Sequence, residues 1–236
     1  MTGPLLATGI FDVDGVLLAS PHERAWREAL AGLADPARFT TAAYQAQVAG
    51  KPRLDGARAA LEALGVPDAV QQAPAYAARK QARLLALIGA GAVAAFPDAL
   101  RFVAAVKALG WPMAVASSSK NANAMMQPIR LADGGSLLDA FGVNVCGRDL
   151  RRGKPDPELF LLAASGLGMA PARCFVVEDA PAGIQAARAG GMAALGVARL
   201  GDTATLASAG ADLVVTSLDD IALDGLAQGR LCRRLA

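Results

Sequence analysis

The sequence is poor in histidine, with one, and in cysteine, with three, across 236 residues. Cys146, Cys174 and Cys232 are far apart and odd in number. That excludes a disulfide framework and fits reduced thiols in a cytoplasmic protein. Their spacing is not that of a zinc site either. Aromatic residues make up only 5% of the chain, no block of basic residues alternates with them, and the net charge is +2. Nucleic acid is thereby excluded as a partner. The longest uncharged run, Leu84 to Pro97, is too short to span a bilayer, so no membrane partner is expected. The N-terminus has no basic n-region, and Asp12 interrupts its apolar run, so a signal peptide is not expected. There is no internal repeat and no low-complexity linker. What is abundant is apolar residues, at 54%, enough to bury a sizeable core in one large domain or a domain with an insert.

The chain is organised around Gly9-Ile10-Phe11-Asp12-Val13-Asp14-Gly15-Val16-Leu17. An apolar run leads into two aspartates one residue apart, and a glycine follows. On a strand, side chains i and i+2 point the same way, so Asp12 and Asp14 emerge together where the strand ends. Gly15 lets the backbone turn sharply. Two carboxylates so close repel each other, which points to a bound cation, a shared proton, or both. Taken alone, the pair also fits a solvated strand-to-turn junction.

After this strand, Ser20-Pro21-His22-Glu23 has the form of a capping box with proline at the first helical position, predicting a helix from Pro21 to Leu30. No strand is evident from there to Ile88, and Gly89, Gly91 and Pro97 punctuate the end of a helical unit. Helices then alternate with strands at Pro112 to Ala116, Val143 to Cys146, Cys174 to Val177, Ala193 to Val197 and Leu213 to Val215. That alternation predicts a parallel sheet with right-handed crossovers. The first strand has to join it, so the helical unit is an insertion. The expected fold is α/β, a Rossmann-like parallel sheet core over 1–17 and 95–236 with an all-helical cap over 18–94. The cap is expected to move about linkers near Val16 to Ser20 and Ile88 to Pro97. Arg230 to Ala236 reads as a frayed surface helix.

Ligands of open parallel sheets bind beyond the carboxyl ends of the strands. Asp12/Asp14, Ser117-Ser118-Ser119-Lys120-Asn121, Gly153-Lys154-Pro155-Asp156-Pro157 and Glu178/Asp179 all fall there. Asp12, Asp14, Glu178 and Asp179 make an all-oxygen site that suits Mg²⁺. Lys154 supplies a positive charge, and Ser117 a hydroxyl and nearby backbone N–H groups. A cation, a lysine and a hydroxyl around one carboxylate are the equipment of phosphoryl transfer. Asp12 is the candidate nucleophile, forming an aspartyl phosphate, and Asp14 the candidate acid and base.

These four motifs, with Ala180, Ala182-Gly183-Ile184 and Phe11-Asp12-Val13-Asp14-Gly15-Val16-Leu17, resemble those of the haloacid dehalogenase superfamily, and within it the β-phosphoglucomutase-like group. The resemblance spans nearly the whole chain. It implies that Asp12, the backbone carbonyl of Asp14 and Asp179 hold Mg²⁺, with Glu178 in or next to that shell. True dehalogenases lack the second aspartate, so Asp14 argues against dehalogenation. His22 resembles the cap histidine that positions the acid/base aspartate in sugar phosphomutases, although it lies closer to Asp14 in sequence than is usual there. Gly50-Lys51-Pro52-Arg53 resembles the cap loop that grips the distal phosphate, with Arg53 as a forked donor. Lys80 resembles a further cap lysine. Trp26 is either a pocket wall or a core aromatic. Ser118, Ser119, Lys120 and Asn121 complete the expected substrate contacts. Leu18-Ala19 stands where related proteins often carry an acidic residue.

The implied partner is a small phosphorylated sugar, and the expected assembly a monomer or weak dimer. The shortened approach to His22 and the altered hinge favour a phosphatase, with a sugar phosphomutase as the alternative. A receiver-type signalling module shares the acidic cluster, hydroxyl and lysine, but the long insert and Asp14 argue against it.

Overall fold

The computed structural model describes residues 5–234. Six parallel strands form one sheet: β1 (Thr8–Phe11), β4 (Met113–Val115), β5 (Val143–Asn144), β6 (Cys174–Glu178), β7 (Ala193–Val197) and β8 (Leu213–Val215), in the order β5-β4-β1-β6-β7-β8. This is the parallel, helix-covered sheet that the alternation predicts. Its strands read as continuous apolar runs because both faces are covered. Phe11, Phe102, Val115, Phe175 and Val177 pack on one face, and Ile10, Ala114, Phe160, Val176 and Ile184 on the other. Helices α5 (Pro97–Ala108), α6 (Ala122–Met126), α7 (Glu158–Gly166), α8 (Pro181–Ala189), α9 (Thr203–Ser208) and α10 (Leu223–Ala227) complete the core.

β1 is central. Phe11 pairs in register with Val115 on one side and Val177 on the other. The next residue of each strand path is Asp12, Ala116 and Glu178, so topology alone brings three of the four motifs to one edge.

Between β1 and β4 lie α1 (His22–Glu28), α2 (Thr41–Gln47), α3 (Arg53–Ala63) and α4 (Ala69–Gly89). They close on their own core of Trp26, Leu30, Phe39, Leu61 and Tyr76. Fully burying a side chain of this kind contributes about 1.5–3 kcal/mol. The insert meets the core through a ribbon absent from the sequence-based expectation: β2 (Leu18–Ala19) pairs antiparallel with β3 (Ala94–Ala95). Two-residue strands carry no readable period.

Two further expectations are corrected. Ser20 does not cap α1, whose N-cap is Pro21 with no side-chain cap hydrogen bond. Its hydroxyl faces Asp14 instead, while Glu23 bonds to Arg27 and the Thr41 hydroxyl. The C-terminal segment is not a helix over its described part: Arg233 bridges Ile221, and the Arg234 amide donates to the Asp220 carbonyl at 2.7 Å. The rest of that expected helix, Leu235 and Ala236, lies outside the described residues.

Candidate active site

Three core elements supply the polar floor. Asp12 leaves the end of β1, and Lys154 reaches it from the loop after β5, with Nζ 2.7 Å from Asp12 Oδ1. The same ammonium donates to Glu178 Oε1 at the end of β6. The other Glu178 oxygen accepts the Asp179 and Ala180 amides, each at 3.2 Å. Asp12, Lys154 and Glu178 are almost completely buried. Two carboxylates flank Lys154 and hold its ammonium charged despite burial. Glu178 is pushed up to about 7, chiefly by burial.

Two glycines make this possible. Gly15 has φ +81°, and a Cβ there would lie 1.8 Å from Asp179 Oδ2. A Cβ on Gly183 would lie 2.0 Å from Glu178 Cδ.

Asp12, Glu178 and Asp179 each bring a carboxylate oxygen within 4.8 Å of the others, the one such group of potential metal ligands among the described residues. Burial, then the charges of Glu178 and Asp12, raises Asp179 well above the carboxylate range. A hard divalent cation relieves that crowding, so these residues fit one. The Asp14 side chain stands apart from this group and turns toward the insert. Burial raises its pKa, with the Ser20 hydroxyl and Lys80 opposing.

From the insert, His22 Nε2 lies 3.5 Å from Asp14 Oδ1 and 3.4 Å from Ser119 Oγ. Lys80 Nζ is 2.8 Å from His22 Nδ1 and sits 4.7 Å above the Trp26 ring. Burial, then Lys80 and Arg53, lowers the His22 pKa well below its usual value, so the imidazole is neutral and its contact with Asp14 is a polar one rather than an ion pair. When Lys80 is an ammonium it can only donate to Nδ1, and the ring proton is then on Nε2, on the side of Asp14. Burial also pushes Lys80 down to about 7. Trp26 is both things expected of it: it packs on Tyr76 in the insert's core and borders the cavity.

A cavity of about 700 Å³ separates floor and insert. Gly50, Lys51, Arg53, Lys80, Ser117 and Lys120 all border it, so the structure brings every sequence-predicted core and insert group to one space except Glu178, which is fully buried and reaches the floor through Lys154. Several motif residues bind the insert itself. The Ser118 hydroxyl donates to the Gly50 carbonyl at 3.1 Å. Asn121 exchanges two hydrogen bonds with Gln81, at 3.0 and 3.3 Å. Ser117 accepts the Ser119 amide at 3.1 Å, and Lys120 pairs with Asp149 at the rim. Gly153 leaves room for Pro52, which a Cβ would meet at 2.2 Å.

Sequence reasoning missed Tyr44 and Arg199, which border the cavity, and Gln81, which holds Asn121. Arg199 lies two residues past the end of β7, so the strand-end rule, carried one strand further, finds it. Tyr44 and Gln81 carry no local signal.

A parallel sheet with a carboxylate-lysine floor at its carboxyl edge, under a helical insert, defines a phosphotransferase of the haloacid dehalogenase type. The model of the haloacid dehalogenase-like hydrolases matches residues 7–191, and the chain belongs to that family. It is 37% identical to a β-phosphoglucomutase of Mycobacterium bovis over 90% of each chain. It is also 35% identical to a fructose-1-phosphate phosphatase of Escherichia coli, over 80% of this chain and 94% of that one. The crystal structure of an archaeal β-phosphoglucomutase from Pyrococcus superposes with a TM-score of 0.74, at 31% identity, over 93% of this chain and 96% of that one. The chain is thus an enzyme of the sugar phosphatase and phosphomutase group. No helix among the described residues is long and apolar enough to cross a membrane.

Proposed function

We propose that this enzyme moves a phosphoryl group on a small phosphorylated sugar through an aspartyl phosphate on Asp12, and returns it to the sugar, as a phosphomutase. The 18–94 segment acts as the cap over a core of 1–17 and 95–236. The observation that carries the mutase reading is the contact of His22 with Asp14, 3.5 Å apart in spite of the short linker. The short linker favours hydrolysis only if it keeps His22 away from Asp14, and the contact removes that ground.

Asp12, Asp179 and the Asp14 carbonyl would hold Mg²⁺, with Glu178 behind them; family members generally use this ion. When bound, it neutralises charge on the transferring phosphoryl oxygens. With a sugar bisphosphate bound, an Asp12 oxygen attacks one phosphorus and the bond to that sugar oxygen breaks, leaving a sugar monophosphate in the site. Asp14, whose raised pKa keeps a proton available, protonates that oxygen as it leaves. His22 holds Asp14 in place. Burial raises the Asp12 pKa; Lys154 opposes that rise and, by its hydrogen bond to Oδ1, holds the carboxylate in line. In the return step a sugar hydroxyl attacks the phosphoryl group, Asp14 takes its proton, and Asp12 departs as carboxylate. Arg53, with Lys51 and Lys80, grips the phosphate that is not reacting; the guanidinium fork binds phosphate in two places at once. Ser117 to Asn121 line the floor opposite.

Hydrolysis is the second reading, supported by the likeness to the fructose-1-phosphate phosphatase. Enzyme, Mg²⁺, β-glucose 1-phosphate and a trace of glucose 1,6-bisphosphate decide between them. Glucose 6-phosphate outpacing free phosphate is the expected result; free phosphate outpacing glucose 6-phosphate makes the enzyme a phosphatase.

A further inference from the structure

Arg199 leaves β7 at the same carboxyl edge of the sheet and is only 13% exposed. Its guanidinium bonds three groups on two chain segments. Nη1 donates to Asp98 Oδ2 at 2.7 Å, Nη2 to the Val16 carbonyl at 3.2 Å, and Nε to the Gly15 carbonyl at 3.4 Å. Its Cζ lies 4.1 Å from the centre of the Phe96 ring. Asp98 is itself fixed, accepting the Ser217 hydroxyl at 3.1 Å and the Leu218 amide at 2.8 Å.

We propose that Arg199 is a positioning residue, a clamp on both chain crossings between core and insert that holds the Asp14 turn still while the insert moves. The proposal rests on the acid/base role given to Asp14 above. Gly15 and Val16 are the two residues after Asp14, and Gly15 also abuts Asp179. Phe96 ends the returning crossing, and its amide donates to the Leu17 carbonyl at 3.0 Å. One side chain therefore ties the outgoing and the returning segments to each other and, through Asp98, to the far end of the sheet. Arginine suits the task because its planar fork bonds a carboxylate and two carbonyls while stacking on a ring. Bending then falls on the insert side of the clamp, at Ser20-Pro21 and Gly89 to Val93.

The test combines hydrogen exchange by mass spectrometry with steady-state kinetics of Arg199→Ala. Peptides covering 12–20 and 93–97 should exchange faster, while the β6 peptide 174–178 does not change. The kcat on β-glucose 1-phosphate should fall about 10²-fold, the cost of a small misplacement of a catalytic group. It should fall less on p-nitrophenyl phosphate, whose leaving group needs no proton, with KM little changed. Added guanidinium ion should restore part of the lost kcat. Unchanged exchange, equal losses on the two esters, or a raised KM at unchanged kcat would each overturn the clamp. If Arg199→Ala loosens the whole protein, Arg199→Lys, which keeps the charge facing Asp98, decides: loosening confined to the two crossings supports the clamp, and wild-type exchange overturns it. The exchange experiment needs no turnover, so a wild-type enzyme inactive on both esters would refute the proposed function and leave the clamp to be judged separately.

Discussion

Gly15 lies flat against Asp179, with so little space that a Cβ on residue 15 would sit 1.8 Å from Asp179 Oδ2. Its φ of +81° would also strain any other residue by about 1–3 kcal/mol. Gly15→Ala should therefore displace Asp179, one of the proposed Mg²⁺ ligands. Mg²⁺ titrations of activity should show affinity weakened by about tenfold or more, the range for disturbing a site's supporting groups. Wild-type Mg²⁺ affinity in a folded Gly15→Ala protein would place the cation elsewhere.

Removing the metal should silence the enzyme. Asp12, Glu178 and Asp179 crowd three carboxylates around a single lysine. EDTA should abolish turnover, and added Mg²⁺ restore it. Full activity after chelation would rule out the proposed site.

Asp12 and Asp14 should fail differently. Asp12→Asn should form no phosphoenzyme. Asp14→Asn should lose roughly 10²–10⁴-fold on a sugar phosphate, the scale of general acid catalysis, with p-nitrophenyl phosphate partly spared. Equal damage to both esters would remove Asp14 from the acid role.

Lys80 makes stability depend on pH. Burial lowers its pKa from 10.5 to about 7, partly offset by Asp14 and reinforced by Arg53. Between those values the unfolded chain binds more protons than the folded one, so this group adds stability as pH rises from about 7 toward 10.5. Lys80→Met lacks that gain. Thermal melts should show the variant's Tm, relative to wild type, falling steadily across this window. Parallel profiles would mean that the lysine is not buried as described.

The floor of the site was legible because parallel-sheet topology does most of the work. Asp12, Ser117 and Glu178 each follow an apolar run, strands that pair in register must deliver them to one edge, and Lys154 lies in the loop that leaves the same edge after β5. The insert was legible only as a helical mass. The Gln81–Asn121 exchange joins residues 40 apart with no periodicity to link them. Ser20 matched a capping box in every residue type, yet a buried carboxylate competes for its hydroxyl, and tertiary contacts prevailed over local propensity. Counted along the chain, the linker is short for His22 to reach Asp14. The insert instead brings His22 there by docking whole helices, which a residue count does not measure.

The Tyr76 hydroxyl donates to the Trp26 carbonyl at 2.8 Å, and Arg79 donates to the carbonyls of Ala29 and Ala31. These bonds stitch α4 to the end of α1, so His22 and Lys80 travel together however the insert swings. The segment then behaves as a cartridge: His22 and Lys80 are aligned within it, and it meets the core through the β2–β3 ribbon and through Gly50, Pro52 and Gln81 against the floor loops. If that cartridge carries the proposed substrate contacts, replacing it whole changes substrate preference and leaves the Asp12, Lys154 and Glu178 floor as it is.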